Sequence, residues 1–167
     1  AVMGVDGEHM REAVGSFTPL AHRVEQVGVA RSVTFIDDSK ATNVDAAKRA
    51  IEAIRGKIIL IAGGRDKEGD YSPARDLIAS KVKKMILIGE AAGRIREAFQ
   101  DIVDIELSPT LEDATGRAFN EAREGDTVLL SPMCSSFDMF RDYKHRGDVF
   151  KAAALEIIRR QGSLQKG

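Results

Sequence analysis

The chain has 167 residues, 43% hydrophobic and 31% charged, enough for one core that buries roughly 70% of the extended chain's surface without staples, which excludes a disordered chain. Its 25 Lys and Arg against 26 Asp and Glu leave a formal charge of −1, so no overall field draws in nucleic acid or an anionic membrane. No apolar run approaches the roughly 20 residues a bilayer demands, no signal-peptide pattern opens the chain, and one cysteine with three histidines excludes an internal disulfide and fits structural zinc poorly, so the expected location is the cytoplasm.

In chain order, RVEQV at 23–27 alternates as a short first strand that can lie antiparallel at an edge. VTFI at 33–36 is the first firm strand, followed by VDAAKRAIEAI at 44–54 with helical apolar spacing. KIILIA at 57–62, KMILIG at 84–89, DIEL at 104–107 and TVLLS at 127–131 are further strands. The segments SPARDLIASKV at 72–82, AAGRIREAF at 91–99 and TLEDATGRAFNEA at 110–122 read as the helices between them. KAAALEIIRR at 151–160 predicts a terminal helix, and SLQKG at 163–167 a frayed polar end. Strands alternating with helices predict an α/β, three-layer Rossmann-like domain: a mostly parallel sheet with helices on both faces. With no internal repeat or linker, one domain accounts for residues 1–167.

In such sheets ligands sit beyond the carboxyl ends of the strands, where helix N-termini point their unpaired N–H groups. Four segments there are chemically unusual. FIDDSKATN at 35–43 gathers carboxylates, hydroxyls and an amine; it reads as a site, and also as a polar loop in which Thr42 or Asn43 caps the next helix. IAGGRDKEGDYSP at 61–73 pairs two glycines with Arg65, Asp66 and Lys67, suited to an anion or to a charged turn. LLSPMCSSFDMFRDYKHRG at 129–147 offers Ser131, Ser135 and Ser136 at the start of an expected short helix containing Phe137, Phe140 and Tyr143. That start suits a carboxylate, although the two phenylalanines also read as core. PLAHRVEQVG at 19–28 places His22, read as structural, beside Arg23, which can pair with a phosphate or stack on a base.

The chain has neither GxxxxGK[ST] nor GxGxxG. No nucleophile–base or acid–base pair stands out, so no catalytic residue and no metal ligand is assigned; His9 and His145 lack ligand partners, and Cys134 reads as a buried, inert thiol. The strand-end groups are anion clamps, suited to chemistry in which positioning and charge stabilisation dominate.

HRVE at 22–25, DDSKATN at 37–43, GGRDKEGDYSP at 63–73 and LSPMCSSFDMFRDYKHRGDVF at 130–150 together resemble the C-terminal domain of the D-glutamate-adding Mur ligases. The resemblance runs from about Phe17 to Arg160. Other Mur ligases and folylpolyglutamate synthetase share the domain plan, but the murein relatives usually carry a DDYAHNP-like first motif where DSKATN stands here. The resemblance implies a three-domain, cytoplasmic ATP-dependent ligase of peptidoglycan and cell-wall biogenesis, with magnesium. The N-terminal and central domains would be partners outside these residues; residues 1–16 would be a remnant of, or linker from, the central domain, which carries the P-loop and magnesium sites. It also implies that ATP phosphorylates the carboxylate of UDP-MurNAc-L-alanine, that the amine of D-glutamate attacks the acyl phosphate, and that the isolated domain is inactive.

Carried over by position, the family's nucleotide contacts fall on Arg23 and Asp38, and its D-glutamate contacts on Lys67, Thr42, Ser136 and the Phe137 backbone. Lys40 belongs to the same polar cluster. Tyr143 stands where relatives have an aromatic residue near the amino acid, and Asp37 replaces an asparagine seen in some of them. The alternative expectation is a non-catalytic α/β module that binds an amino acid or a nucleotide.

Overall fold

A computed structural model describes residues 20–65 and 68–164. Among them, six strands form one sheet in the order β1-β2-β6-β3-β4-β5: β1 Glu25–Ala30, β2 Val33–Asp37, β3 Ile58–Gly63, β4 Val82–Ile88, β5 Asp104–Leu107 and β6 Thr127–Leu130. Only the β1–β2 pairing is antiparallel; the other four are parallel. Five α-helices connect or follow them: α1 Val44–Ala53, α2 Arg75–Lys81, α3 Ala92–Phe99, α4 Leu111–Glu121 and α5 Tyr143–Leu164. The expected α/β architecture, parallel sheet and antiparallel edge strand are all present.

Strand β3 shows why its sequence is a continuous apolar run. Ile58, Leu60 and Ala62 face one core with Ile51 of α1, Ile78 of α2 and Phe99 of α3, while Ile59 and Ile61 face the other with Leu111 and Phe119 of α4 and Phe150 of α5. A strand covered on both faces has no polar side to alternate with. Each such buried Ile or Leu contributes about 1.5–3 kcal/mol.

Side-chain caps start three helices. Asn43 Oδ1 accepts the Ala46 N–H at 2.9 Å, settling the cap of α1 on Asn43 rather than Thr42. Thr110 Oγ1 accepts the Asp113 N–H at 3.1 Å for α4, and Asp142 Oδ1 accepts the His145 N–H at 2.8 Å for α5.

Several sequence expectations shift. The segment at 72–82 divides into a 3-10 turn, Ser72–Ala74, and the short helix α2, with Pro73 in the turn. The first strand lies at Glu25–Ala30 instead of 23–27 because it is one arm of a hairpin whose two-residue turn is Arg31–Ser32, with φ of 47° and 59°. Such turns normally carry Asn or Gly; here the Arg31 guanidinium stacks 4.2 Å from the Phe119 ring centroid. The terminal helix begins at Tyr143, well before 151. No helix spans Ser131–Asp142, so Phe137 and Phe140 lie in a turn and the expected helix start for a carboxylate is absent there. The 1–16 segment and the last residues, 165–167, lie outside the described residues, and no described helix is long and apolar enough to cross a membrane.

Candidate functional site

The chain runs from β2 to β3, then outward to β4 and β5, and returns as β6 between β2 and β3. The helix after β2 covers one face and the helix after β6 the other. This reversal opens a crevice at the carboxyl ends of β2, β6 and β3. Backbone bonds lock the three ends together: Asp38 N to Leu130 O at 2.8 Å, Ser131 N to Ile61 O at 3.2 Å and Gly63 N to Pro132 O at 2.9 Å. Pro132 has no N–H to continue the ladder, so the chain leaves the sheet there.

Above β2, buried Asp38 accepts the Ser131 hydroxyl at 2.9 Å on Oδ2 and the Val24 N–H at 3.2 Å on Oδ1. Burial is the main cause that lifts its carboxyl to about 6, with the Asp37 charge adding to it and the two hydrogen bonds opposing it. Asp37 is fully buried and is also raised, again by burial, against the hydrogen bonds from His22 and the Ser39 N–H. His22 Nδ1 and Asp37 Oδ2 share a hydrogen bond of 2.7 Å, and the His22 backbone N–H donates to Glu25 Oε2 at 2.8 Å. Gly147 of α5 makes room for the pair: a Cβ there would overlap His22 Nδ1 and lie 2.7 Å from Asp37 Oδ2. His22 is thus the structural histidine the sequence suggested.

His22 and Val24 sit at φ of 63° and 47°, a conformation that costs a β-branched residue of order 1–3 kcal/mol. Their contacts to Glu25, Asp37 and Asp38 hold it. Between them Arg23 is exposed and lines a cavity of about 230 Å³ with Asp38, Lys40 and Arg49. Three cations and one carboxylate around one cleft favour a polyanion bearing hydroxyl groups that the carboxylate can accept.

Thr42 lines a second, smaller cavity of about 90 Å³ with Arg65, Tyr71 and Cys134. Lys40 lines the larger one, and its amine lies 5.5 Å from the Tyr143 ring centroid. Ser136 is buried, and its carbonyl accepts the Phe140 N–H at 2.8 Å. The Phe137 ring is 62% exposed, which rules out the core role its sequence allowed, while Phe140 packs against the second core. Lys67 lies outside the described residues; Arg65, two positions before it, is bridged to Ser135 by its N–H at 2.8 Å.

Sequence reasoning missed Arg146. It is fully buried and sits where α5 meets both loops. Its Nε donates to Ser39 Oγ at 3.0 Å, and its Nη2 to the Ser39 and Cys134 carbonyls at 2.9 and 3.1 Å. Burial pushes the guanidinium down to about 10, so it keeps its charge at neutral pH. The available signal was an arginine at a core-facing helix position four before Phe150. Arg49 was missed because it reads as the solvated face of α1.

The glutamate ligase domain model of the Mur ligases matches residues 22–134. The chain belongs to that family. It is 47% identical over 148 residues to a UDP-N-acetylmuramoylalanine–D-glutamate ligase from Syntrophus aciditrophicus, covering 89% of this chain and 33% of that protein. To the enzyme of the same description from Bdellovibrio bacteriovorus it is 45% identical over 157 residues, covering 94% and 33%. The chain therefore spans about a third of the length of the curated relatives it matches, 33% in both cases. Among solved structures, it resembles a bifunctional folylpolyglutamate synthase/dihydrofolate synthase from Yersinia pestis with a TM-score of 0.62 at 18% identity, over 92% of this chain and 36% of that one. A UDP-N-acetylmuramate-alanine ligase from Thermotoga maritima gives 0.56 at 12%, over 89% and 36%. These two likenesses bear on the fold alone, and they agree with the Mur ligase plan found here.

Proposed function

We propose that this Mur ligase domain receives D-glutamate in an ATP-dependent ligase that joins it to UDP-MurNAc-L-alanine in peptidoglycan synthesis. The observation that carries the reading is the meeting, at one crevice, of the DSKATN loop with its Asp38, Lys40 and Thr42 and the SPMCSS loop with its Ser136. In this reading one domain accounts for the whole chain, with residues 1–16 belonging to its junction with a central domain.

Arg23, Lys40 and Arg49 supply positive charge to the larger cleft, and Asp38 supplies an acceptor for ribose hydroxyls, so the residues present fit a nucleotide. Thr42, Lys67, Ser136 and the Phe137 backbone would hold the two carboxylates of D-glutamate, with Lys40 and Tyr143 beside them. Their task is to present the neutral amine to the acyl phosphate: a C–N bond forms, the C–O bond to phosphate breaks with inorganic phosphate leaving, and the nitrogen gives up one proton while the amide keeps one N–H. Positioning of this kind is worth orders of magnitude in rate.

Among the described residues, none of the acidic clusters fits magnesium. His22, Glu25 and Asp37 place one ligand atom each within 4.8 Å of one another, but their lone pairs take the Ser39 N–H, the His22 N–H and Lys151. A ring nitrogen is also foreign to a cation that prefers oxygen. In this reading the ion and the triphosphate grip belong to the central domain.

The test is phosphate release by the full-length protein with ATP, UDP-MurNAc-L-alanine and D-glutamate. Turnover should require all three, and Lys67→Ala should raise the D-glutamate KM by an order of magnitude while sparing the UDP substrate's. An unchanged D-glutamate KM in Lys67→Ala would remove that assignment. Release that ignores D-glutamate would overturn the function.

A further inference from the structure

Arg146 heads the fully buried side chains by volume, yet among the described residues no carboxylate lies within ion-pair range of it. The Asp37 and Asp138 carboxylates favour its charge from beyond that range, but burial outweighs them; burying a charge without a direct ion pair is costly, so a neutral side chain would serve better as mere filling. What the guanidinium gains is three charge-assisted hydrogen bonds, two to Ser39 and one to the Cys134 carbonyl. Ser39 is one residue after Asp38 and three before Thr42, and Cys134 is two before Ser136. The unpartnered Nη1 lies 3.0 Å from where a Cβ on Gly64 would be, at the start of the segment that leads to Lys67. One rigid fork therefore ties the two segments that carry Thr42 and Ser136 and lies against Gly64. Ser39 extends the same tie to α5, because its hydroxyl donates to the Tyr143 carbonyl at 2.8 Å, while its N–H donates to Asp37 Oδ1 at 2.8 Å.

We propose that Arg146 is a positioning residue for the amino-acid pocket, its guanidinium fixing the spacing between the DSKATN and SPMCSS loops without touching substrate. The proposal rests on the D-glutamate reading above. A planar fork holds two carbonyls and a hydroxyl at fixed separation; an ammonium on a flexible stem does not, so lysine is no replacement despite its charge. A displacement of about 1 Å in a positioned group is enough to cost orders of magnitude.

The test uses Arg146→Lys and Ser39→Ala in the full-length protein, with steady-state kinetics for each substrate and hydrogen exchange over 37–43 and 131–136. Arg146→Lys should raise the D-glutamate KM about tenfold or more, leave the ATP KM within about twofold, and lower protection in both segments but not in β4. Ser39→Ala removes the Nε acceptor together with the hydroxyl's bond to the Tyr143 carbonyl, keeps both Nη2 bonds, and should shift the same constant less; in the double variant the effects should not add. A drop in kcat or melting temperature with an unchanged D-glutamate KM would make Arg146 structural only and overturn the proposal. Should Arg146→Lys fail to fold, Ser39→Ala decides by the same KM. If the wild-type protein shows no D-glutamate-dependent turnover, the pocket's assignment falls with the function. Hydrogen exchange then still decides whether Arg146 couples the two loops.

Discussion

Asp38→Asn isolates the energetic cost of keeping a carboxylate in this crevice. The side-chain oxygen of Asn can still accept the Val24 N–H, and its amide can donate to the Ser131 hydroxyl, so both contacts survive and only the charge goes. Asp38 is 4% exposed, and its carboxyl sits at about 6 rather than 3.8. The folded state holds this proton more tightly than the unfolded chain. Stability is therefore lost as pH rises from about 3.8 through about 6, with the whole penalty present above that and none below. The interval corresponds to about 3 kcal/mol. In this chain, Asp38→Asn should gain up to about 3 kcal/mol at pH 8, or about 6–12 °C in Tm, with the gain shrinking towards zero by about pH 4. Urea unfolding followed by circular dichroism at pH 4, 6 and 8 measures it. A gain that does not vary with pH, or a loss at pH 8, would refute the reasoning. In the full-length protein the same variant should bind nucleotide less tightly, as expected where a site keeps an unfavourable group for function.

Gly147→Ala should destabilise the chain by about 2 kcal/mol or more, because the new methyl group overlaps His22 beside Asp37 in a part of α5 that cannot retreat; a thermal melt within 1 °C of the parent, roughly the scatter between replicates, would show that the approach is looser. Phe137→Ala should change stability by less than about 0.5 kcal/mol, since the ring is 62% exposed, and should leave the D-glutamate KM unchanged because the proposed contact comes from the backbone. A loss above about 1 kcal/mol would place the ring in the core after all.

The sheet was legible because β3 is apolar throughout, β4 and β6 are apolar apart from Lys83, Lys84 and Thr127 near their starts, and the helices between them keep an apolar stripe. Boundaries failed where tertiary contacts replace local signals. The Arg31–Ser32 turn carries neither Gly nor Asn, and it is held by Arg31 on Phe119 of a distant helix, so nothing nearby marks the strand's end. The pocket residues were legible by type. Asp38, Lys40, Thr42 and Ser136 are polar groups at strand ends, where a spacer needs none. Which cleft they line was not, with Asp38 and Lys40 on the larger and Thr42 on the smaller, because it depends on which way each residue leaves the loop.

The start of α5 shows the same limit most clearly. Its inward face runs Arg146, Phe150, Ala154 and Ile158, each four residues after the last. A search for apolar spacing meets arginine at the first place in that series and glycine beside it, and so begins the helix two turns late. Both residues violate helix patterning for one reason. The first two turns of α5 pack against polar strand ends instead of the apolar sheet, Gly147 against the His22–Asp37 pair and Arg146 against Ser39 and Cys134. A buried charge and a mid-helix glycine each lower stability when considered alone. Found together on one core-facing turn, they identify the stretch of helix that shapes the crevice, and they locate it as firmly as the apolar residues locate the core.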